Sequence, residues 1–408
     1  MSTRTGRVRP WIWAGIAGAV SGAVFVAAAE LAAFLVAREA SPFLAAGSFV
    51  IDVVPQWAKE LAIELFGAND KLVLLITLGF AVLLAAVVAG VLEWWRRWAG
   101  VALFVVVGVV ALITTTTRAE ASPLSFIPPL VGAAAGVAFL RHSITALRRW
   151  RSPGSPDEPG TGTDRRHFLI LTAVGALGAV IVGAGARIGS VATSSVTAVR
   201  KALKLPAPVS TVTVPAGAEL SIPGLSPLFT PNADFYRVDT ALEVPSIDPG
   251  DWRLTIDGMV ERPMTLDWAG FMALPQTAVR SDIHCVTTWS RYDNDWSGVA
   301  TRDLLDHVGP VDAAAFLTLH GYDGYTTNVP LADFAAADAL LVHSWQGKPL
   351  TREHGGPVRL VIPHLYFWKS AKWISRIEFL GADKPGFWEV NGYHRRGDPW
   401  AEERYSEN

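Results

Sequence analysis

The chain has 408 residues, half of them hydrophobic and 18% charged, with a formal charge of −2 and a mean hydropathy of +0.30. That is too apolar for an ordinary soluble protein and too charged for one lying wholly in a membrane, and it leaves no basic footprint for nucleic acid. The single cysteine excludes an intramolecular disulfide, so any portion outside the cytoplasm must hold together without one.

The two characters segregate along the chain. Residues 1–150 read as a four-helix transmembrane module. The run 11–37 follows Arg4, Arg7 and Arg9; it is too long for a signal-peptide core and reads as a retained helix. Glu30 lies inside it, either near the far interface or as a functional group. Residues 41–71 are less apolar and suit an outer loop with an interfacial helix. The run 72–92 is a second span, closed by Glu93-Trp-Trp-Arg-Arg-Trp98. Residues 99–113 make a third and 123–140 a fourth, its early part interrupted by Pro128 and Pro129. Arginines gather at the N-terminus, at 96–97 and at 141–151. Alternating spans put all three clusters on one side, which the positive-inside rule makes cytoplasmic. No histidine falls inside a span, whereas a transmembrane b-haem needs histidines on facing helices; His142 and His167 sit at the edges.

Residues 151–192 read as a cytoplasmic linker, rich in Pro, Gly, Ser, Thr and Asp over 152–164, followed by a fifth apolar run at 170–186. Between them stands Arg165-Arg166-His167-Phe168-Leu169. This is ordinary basic flanking of a fifth span, and it also resembles the core of a twin-arginine export signal. The expected arrangement is multi-pass in the cell membrane, with the N-terminus inside and the C-terminal domain on the extracytoplasmic face.

Residues 193–227 form a connector, where Arg200, Lys201 and Lys204 meet lipid headgroups or a solvated helix face. From about residue 228 to 408 the pattern turns to short strands with Pro and Gly turns, and the class is α+β. Strands are expected at 235–239, 252–256, 279–287, 316–320, 358–362 and 373–380, and short helices at 266–273 and 301–308, the latter capped by Thr301. There is no Gly-x-Gly-x-x-Gly after a strand, no Walker loop and no Gly-x-Ser-x-Gly.

Cys285 lies near the end of the expected strand 279–287, with an expected loop bearing Trp289, Arg291, Tyr292, Asp293, Asn294 and Trp296 after it. A lone cysteine is filler, nucleophile or metal ligand, and these polar and aromatic neighbours favour a site. Arg359 sits beside an apolar run, where a guanidinium needs an anion or a carboxylate; Lys372 supplies a second cation.

The segment His284-Cys-Val-Thr-Thr-Trp-Ser290, followed by Trp296-Ser-Gly298 and Asp303-Leu-Leu305, resembles the cysteine segment of the sulfite-oxidase-type molybdopterin oxidoreductases, in particular the bacterial sulfite-oxidase-like proteins and the catalytic subunit of methionine-sulfoxide reductase. His354-Gly-Gly-Pro-Val-Arg359 with Ser370-Ala-Lys372, and Asn232-Ala-Asp-Phe-Tyr-Arg237, extend the likeness over roughly residues 228–405. It implies molybdenum on the Cys285 thiolate, a soft anionic donor beside the pterin dithiolene. It further implies molybdopterin without an appended nucleotide, held by Asn232, Tyr236, Arg237, His354, Arg359, Ser370, Ala371 and Lys372, with His284, Trp289, Arg291 and Tyr292 on the substrate side. The implied activity is two-electron oxygen-atom transfer on a small sulfur-containing substrate, as sulfite oxidation or sulfoxide reduction. Cys-x-x-Cys-His is impossible with one cysteine, so electrons are expected to pass to a separate cytochrome or quinone-linked membrane partner. The immunoglobulin-like dimerisation domain of full sulfite oxidases is expected to be missing. Two other classes stay open on the residues: a membrane-anchored binding or assembly protein that keeps the fold without catalysis, and a cysteine hydrolase pairing Cys285 with His320 or His354.

Overall fold

The structure is a computed structural model that describes residues 9–37, 40–66, 69–118, 121–151, 161–192, 202–203, 222 and 237–406. It divides into a helical unit and a sheet-containing unit, with the boundary at Thr193 and Ser194 apart from the short stretch Pro55–Ala58.

The helical unit contains α1 (Pro10–Val36), α2 (Pro42–Val53), α3 (Gln56–Phe66), α4 (Asp70–Trp95), α5 (Ala99–Thr116), α6 (Ile127–Arg151) and α7 (Thr161–Ala192). Among the described residues, five helices (α1, α4, α5, α6 and the 164–183 part of α7) are long and apolar enough to cross a membrane. Along α4 the large apolar side chains Leu72, Ile76, Phe80, Leu83, Leu84 and Val88 face outward, an arrangement only a hydrocarbon solvent leaves without cost. The region expected as a loop with one interfacial helix holds two helices. Ser41 caps the first of them, accepting from the Leu44 N–H at 3.3 Å, with Pro42 in the first turn.

Small residues let the helices touch backbone to backbone. A side chain on Gly18 would strike the Ala86 carbonyl and the Gly90 backbone, and one on Gly90 would strike the Ala14 carbonyl and Gly18; this is the close small-residue packing that membrane helices use in place of a hydrophobic driving force. Pro128 and Pro129 do not interrupt the fourth span. They lie in the first turn of α6, where the missing N–H groups have no helical partner to lose. The expected linker is shorter than read, because α7 begins at Thr161. Trp13 packs edge to face on Trp150 and Phe168, and the three rings have centroids 5.7–6.1 Å apart; Arg148 Nη2 donates to the Glu93 carbonyl at 2.6 Å. The start of α1 and of α7 and the end of α4 and of α6, with the arginines at 96–97, 141–151 and 165–166, therefore share one end of the bundle. The Glu93 carboxylate takes the N–H groups of Trp98 and Val101, each at 3.2 Å, and so satisfies the open N-terminus of α5.

The second unit is built on two sheets. One runs β2-β1-β10-β5-β6 and the other β3-β4-β7-β8, with β9 also paired to β7. The strands are β1 (Arg253–Gly258), β2 (Met264–Asp267), β3 (Thr277–His284), β4 (Ser290–Ala300), β5 (Phe316–Gly321), β6 (Thr326–Pro330), β7 (Leu340–Trp345), β8 (Lys348–Pro349), β9 (Arg359–Val361) and β10 (Ile374–Leu380). Among the described residues only β1 and β10 pair in parallel, so strands with interspersed helices give the expected α+β class.

Four local expectations change. The segment after Cys285 is not a loop but the 11-residue strand β4. Leu266 and Asp267 close β2, and the helix α8 (Trp268–Ala273) starts after them, with Asp267 accepting from the Gly270 N–H at 2.7 Å. Thr301 does not cap α9 (Thr301–Val308); it is fully buried and its hydroxyl is committed to the Phe334 and Ala339 carbonyls. The described part of 235–239 contains no strand.

The main core gathers Leu254, Ile256, Leu317 and Ile377 of the first sheet with Val299, Leu341 and Leu360 of the second. The second sheet is also packed on its other side, where Ile283, Trp296, Leu340, Val342, Trp345 and Val361 form a separate cluster joined by Trp289 and Phe367. The candidate site is built on that face.

Candidate cofactor site

Cys285 follows the last residue of β3 in the tight connection to β4. Its N–H donates to the Trp289 carbonyl at 2.9 Å and its carbonyl accepts from the Thr288 N–H at 3.1 Å. Thr288 has φ +77°, a left-handed conformation that a β-branched residue adopts only under constraint. The sulfur is buried among Val286, Tyr366 and Tyr393, with Trp289, Trp368 and Trp388 packed around them. Burial pushes the thiol pKa up; the Thr287 hydroxyl, which donates to Sγ at 3.1 Å, and the charge of Arg404 pull it back down. Trp289 packs against both this cluster and the Trp296–Trp345 cluster, which makes one continuous aromatic wall from Cys285 to the far face of the second sheet.

That wall carries buried cations. Arg359, on β9, is 1% exposed; its guanidinium lies 4.2 Å from the Phe367 ring centroid and donates to the carbonyls of His354 (3.2 Å), Leu360 (3.2 Å) and Ser370 (2.6 Å). Burial lowers its pKa to about 9. Lys372 Nζ donates to the Glu353 carbonyl at 2.8 Å and to Asp239 Oδ2 at 3.0 Å, and burial lowers its pKa to about 8. Arg237 grips the same Asp239 carboxylate at 2.6 and 2.7 Å. His354 stands edge-on to Trp345 with centroids 4.9 Å apart, and its Nδ1 lies 3.2 Å from Thr351 Oγ1. Ser370 Oγ accepts from the Ile362 N–H at 3.0 Å. Ala371 contributes shape: its side chain is in the main core and its carbonyl accepts from Leu360. A side chain on Gly355 (φ +98°) would meet the stems of Arg359 and Lys372 at 3.1 Å, so glycine is what lets these two cations close together.

The structure thus brings Arg237, His354, Arg359, Ser370 and Lys372 to one place. Asn232 and Tyr236 lie outside the described residues. Of the four substrate-side residues expected beside Cys285, Trp289 packs in the Cys285 cluster and Arg291 turns into the second sheet. Arg291 is on a strand and fully buried; its guanidinium lies 4.7 Å from the Trp345 centroid and is bonded to Asn294, and burial lowers its pKa to about 10. It is not a solvated loop charge. Tyr292, next on β4, faces the opposite side of that strand. His284 Nδ1 is 2.7 Å from Ser290 Oγ and its ring meets Trp400 at 5.2 Å, and burial depresses its pKa.

Sequence reading did not single out Asp239, Trp345, Phe367, Tyr393 or Arg404. Trp345, Tyr393 and Arg404 reach the site from distant parts of the chain, while Asp239 and Phe367 lie close in sequence to the expected Arg237 and Arg359. Tyr366 and Trp368, parallel at 5.2 Å, belong to the aromatic block after His364 but had no role assigned. Residues 386–406 close the Cys285 side. They are pinned by Lys369 and Glu389, both fully buried at the side chain and 2.6 Å apart, with Lys369 also reaching the Asn328 and Arg395 carbonyls.

The donor set suits a pterin cofactor with a phosphate and a metal. A soft sulfur sits at one end of the wall, and cations that burial alone would disfavour sit at the other. In the Trp345 cluster the Trp296 indole N–H is buried without an acceptor among the described residues, a donor open to a ligand.

Residues 241–388 match the family described as the oxidoreductase molybdopterin binding domain. The chain is 49% identical over 159 residues to the uncharacterized oxidoreductase YuiH of Bacillus subtilis, covering 39% of this chain and 80% of that one. It is 26% identical over 249 residues to the protein-methionine-sulfoxide reductase catalytic subunit MsrP of Ralstonia nicotianae, covering 55% and 71%. It is 29% identical over 193 residues to the mitochondrial sulfite oxidase of Drosophila melanogaster, covering 40% of this chain and only 33% of that one.

Proposed function

The chain belongs to the sulfite-oxidase-type molybdopterin oxidoreductase family, and from that premise we propose that it is a membrane-anchored enzyme of two-electron oxygen-atom transfer on a small sulfur compound. The observation that carries this reading is the joining of a buried thiol and a buried cation cluster by one aromatic wall. Molybdenum held by the pterin dithiolene would supply the redox couple when bound.

In this reading Cys285 holds the metal as thiolate, its ionisation helped by the Thr287 hydroxyl and the Arg404 charge and completed by the metal itself. Arg359 and Lys372 bind the pterin phosphate, with Arg237, Ser370, His354 and the undescribed Asn232 and Tyr236 completing the contacts. Three cations, Arg237, Arg359 and Lys372, gather around the Asp239 carboxylate, and the net positive charge suits a phosphate group. Oxidation of sulfite would take an oxygen from water and release two protons and two electrons; the electrons pass to a one-electron carrier or a quinone-linked membrane protein. Sulfoxide reduction would run the same balance in reverse. The arginines at one end of the helical bundle support a cytoplasmic assignment for that end, and Arg165-Arg166 supports export of a folded, cofactor-loaded domain.

Metal and pterin analysis of protein purified from a molybdenum-replete host tests the reading. Stoichiometric molybdenum and pterin in the wild type, with Cys285→Ser folded and pterin-containing but inactive, is the expected result. Full activity in Cys285→Ser would refute the ligand role, and a well-folded protein with neither component would favour a non-catalytic binding protein.

A further inference from the structure

We propose that the turn between α4 and α5 is a binding site for an anionic phospholipid, whose phosphate is held by Arg96, Arg97, Arg141 and Arg148 at the arginine-bearing end of the helical unit. The inference rests on the five apolar helices and goes beyond the oxidoreductase reading, on which neither it nor its test depends.

Arg96, Arg97 and Trp98 link the end of α4 to the start of α5. The Glu93 carboxylate closes this turn from within. It takes the N–H groups of Trp98 and Val101 and lies 3.5 Å from Arg141 Nη1, with its side chain 1% exposed, so its charge is spent inside the fold. The Arg141 guanidinium also lies 3.9 Å from the Trp98 ring centroid, which fixes its plane. Trp98 holds φ +78°, a left-handed conformation that a bulky residue adopts only under constraint. Arg148 Nη2 donates to the Glu93 carbonyl at 2.6 Å and so brings another guanidinium to the same turn. Arg96 and Arg97 are exposed, and neither makes a side-chain hydrogen bond or ion pair among the described residues. Four arginines against one glutamate leave a formal charge of +3 at this corner. The other described carboxylate at this end, Asp164, lies in the first turn of α7.

Charge alone would serve any soluble anion, but this corner continues into surface that faces hydrocarbon. Trp95 and Trp98 are 69% and 56% exposed, and exposed indoles at a helix end lie at the level of lipid headgroups. Behind Trp95 the side chains of Val88 and Leu84 are exposed along α4, and beyond Trp98 those of Val105 and Val109 are exposed along α5. Two apolar stripes leading away from a group of guanidiniums match two acyl chains joined to one phosphate. Guanidinium forks take phosphate oxygens in pairs. A zwitterionic lipid carries its own cation to the same place, so the surplus of positive charge selects a headgroup with net negative charge.

The test uses the full chain in mild detergent. Wild type is compared with Arg96→Gln plus Arg97→Gln, with the two corresponding lysine changes, and with Arg9→Gln plus Arg149→Gln. The last pair removes the same charge from exposed arginines at the same end, outside the turn. Native mass spectrometry follows titration with phosphatidylglycerol or phosphatidylcholine, and thermal unfolding is recorded in parallel. Wild type should bind phosphatidylglycerol at least about tenfold more tightly than phosphatidylcholine, and its melting temperature should rise with phosphatidylglycerol alone. Arg96→Gln plus Arg97→Gln should lose about tenfold or more of the phosphatidylglycerol affinity, with phosphatidylcholine binding and the lipid-free melting temperature unmoved. The lysine pair, which keeps the charge and loses the fork, should fall between, and Arg9→Gln plus Arg149→Gln should bind as wild type does. Equal affinity of wild type for the two lipids, undiminished phosphatidylglycerol binding in Arg96→Gln plus Arg97→Gln, or an equal loss in Arg9→Gln plus Arg149→Gln would overturn the proposal. So would displacement of phosphatidylglycerol by millimolar inorganic phosphate, which would make the turn a site for a soluble anion.

Discussion

Replacing Lys372 with methionine should make the cofactor-free protein more stable and the cofactor-loaded protein scarcer. Lys372 is a buried ammonium whose pKa is lowered from 10.5 to about 8. Desolvation exceeds what Asp239 at 3.0 Å returns, because Asp239 is shared with Arg237 and Arg359 repels from nearby. A shift of that size means the charged form is disfavoured in the folded state by about 3 kcal/mol. The folded pKa lies below the unfolded one, so between pH 8 and 10.5 the unfolded chain binds more protons and stability rises with pH; the whole penalty is present below pH 8. Lys372→Met keeps the packing of the stem and removes the penalty. At about 2–4 °C per kcal/mol for a domain of this size, apoprotein at pH 7 should melt several degrees higher. The assay is tryptophan-detected thermal unfolding of the full chain in detergent, from a host unable to make the pterin, across pH 6.5 to 10. Wild type should gain stability from pH 8 upward and converge on the variant. In a pterin-competent host the order should reverse, since a ligand that binds only the folded state returns the cost by mass action. A Lys372→Met apoprotein less stable than wild type at pH 7, or a wild-type curve flat above pH 8, would refute the reasoning.

Three further outcomes follow from other parts of the molecule. His364 bridges Asp333 (3.0 Å) and Asp338 (3.6 Å), and these bonds raise its pKa to about 9; its contribution is complete below about pH 6.5 and lost as pH rises through 9. His364→Gln should therefore lower the melting temperature most at pH 6 and hardly at all at pH 9.5, the opposite trend to Lys372→Met. Gly90→Val would drive a side chain into the Ala14 carbonyl and Gly18, costing about 1–3 kcal/mol or more of overpacking; the fraction of chain recovered as a monodisperse species in mild detergent should fall. Arg165→Lys with Arg166→Lys preserves the basic flank and so the fifth span, but should abolish protease accessibility of the catalytic unit from outside the cell if export is twin-arginine dependent; unchanged accessibility would leave these arginines as flanking charge only.

The spans were legible because membrane helices announce themselves by length and composition, and only the fine placement depended on context. Pro128 and Pro129 read as a break until their position in the first turn of α6 was known. The catalytic unit was legible where a motif supplies its own geometry: Gly355 with φ +98° lets Arg359 and Lys372 converge, and both were found from local sequence. The strand β4 was misread for a physical reason. Its sequence Ser-Arg-Tyr-Asp-Asn-Asp is polar and rich in turn residues, and β propensity there is overridden by burial. Arg291 has the Trp345 face and Asn294, and Asn294 in turn donates to the Ser281 and Arg291 carbonyls at 3.1 and 3.0 Å, so these two buried polar side chains are satisfied inside the sheet.

The same reasoning explains why Arg291, close to Cys285 in sequence, is buried in the second sheet. Proximity in sequence put Arg291 six residues from Cys285, but the pleat and the aromatic wall turn it inward to the second sheet. Arg404 is 119 positions away and arrives only because residues 386–406 are pinned over the sulfur by the buried Lys369–Glu389 pair. A buried ion pair seldom adds net stability, yet removing one partner is costly because it strands the other charge. That makes the pair a poor stabiliser and a strong specifier of where the C-terminal segment lies. Arg404, Tyr393 and Trp400 all hang on that placement, so the chemistry available at Cys285 depends on a salt bridge that touches neither the sulfur nor the cation cluster.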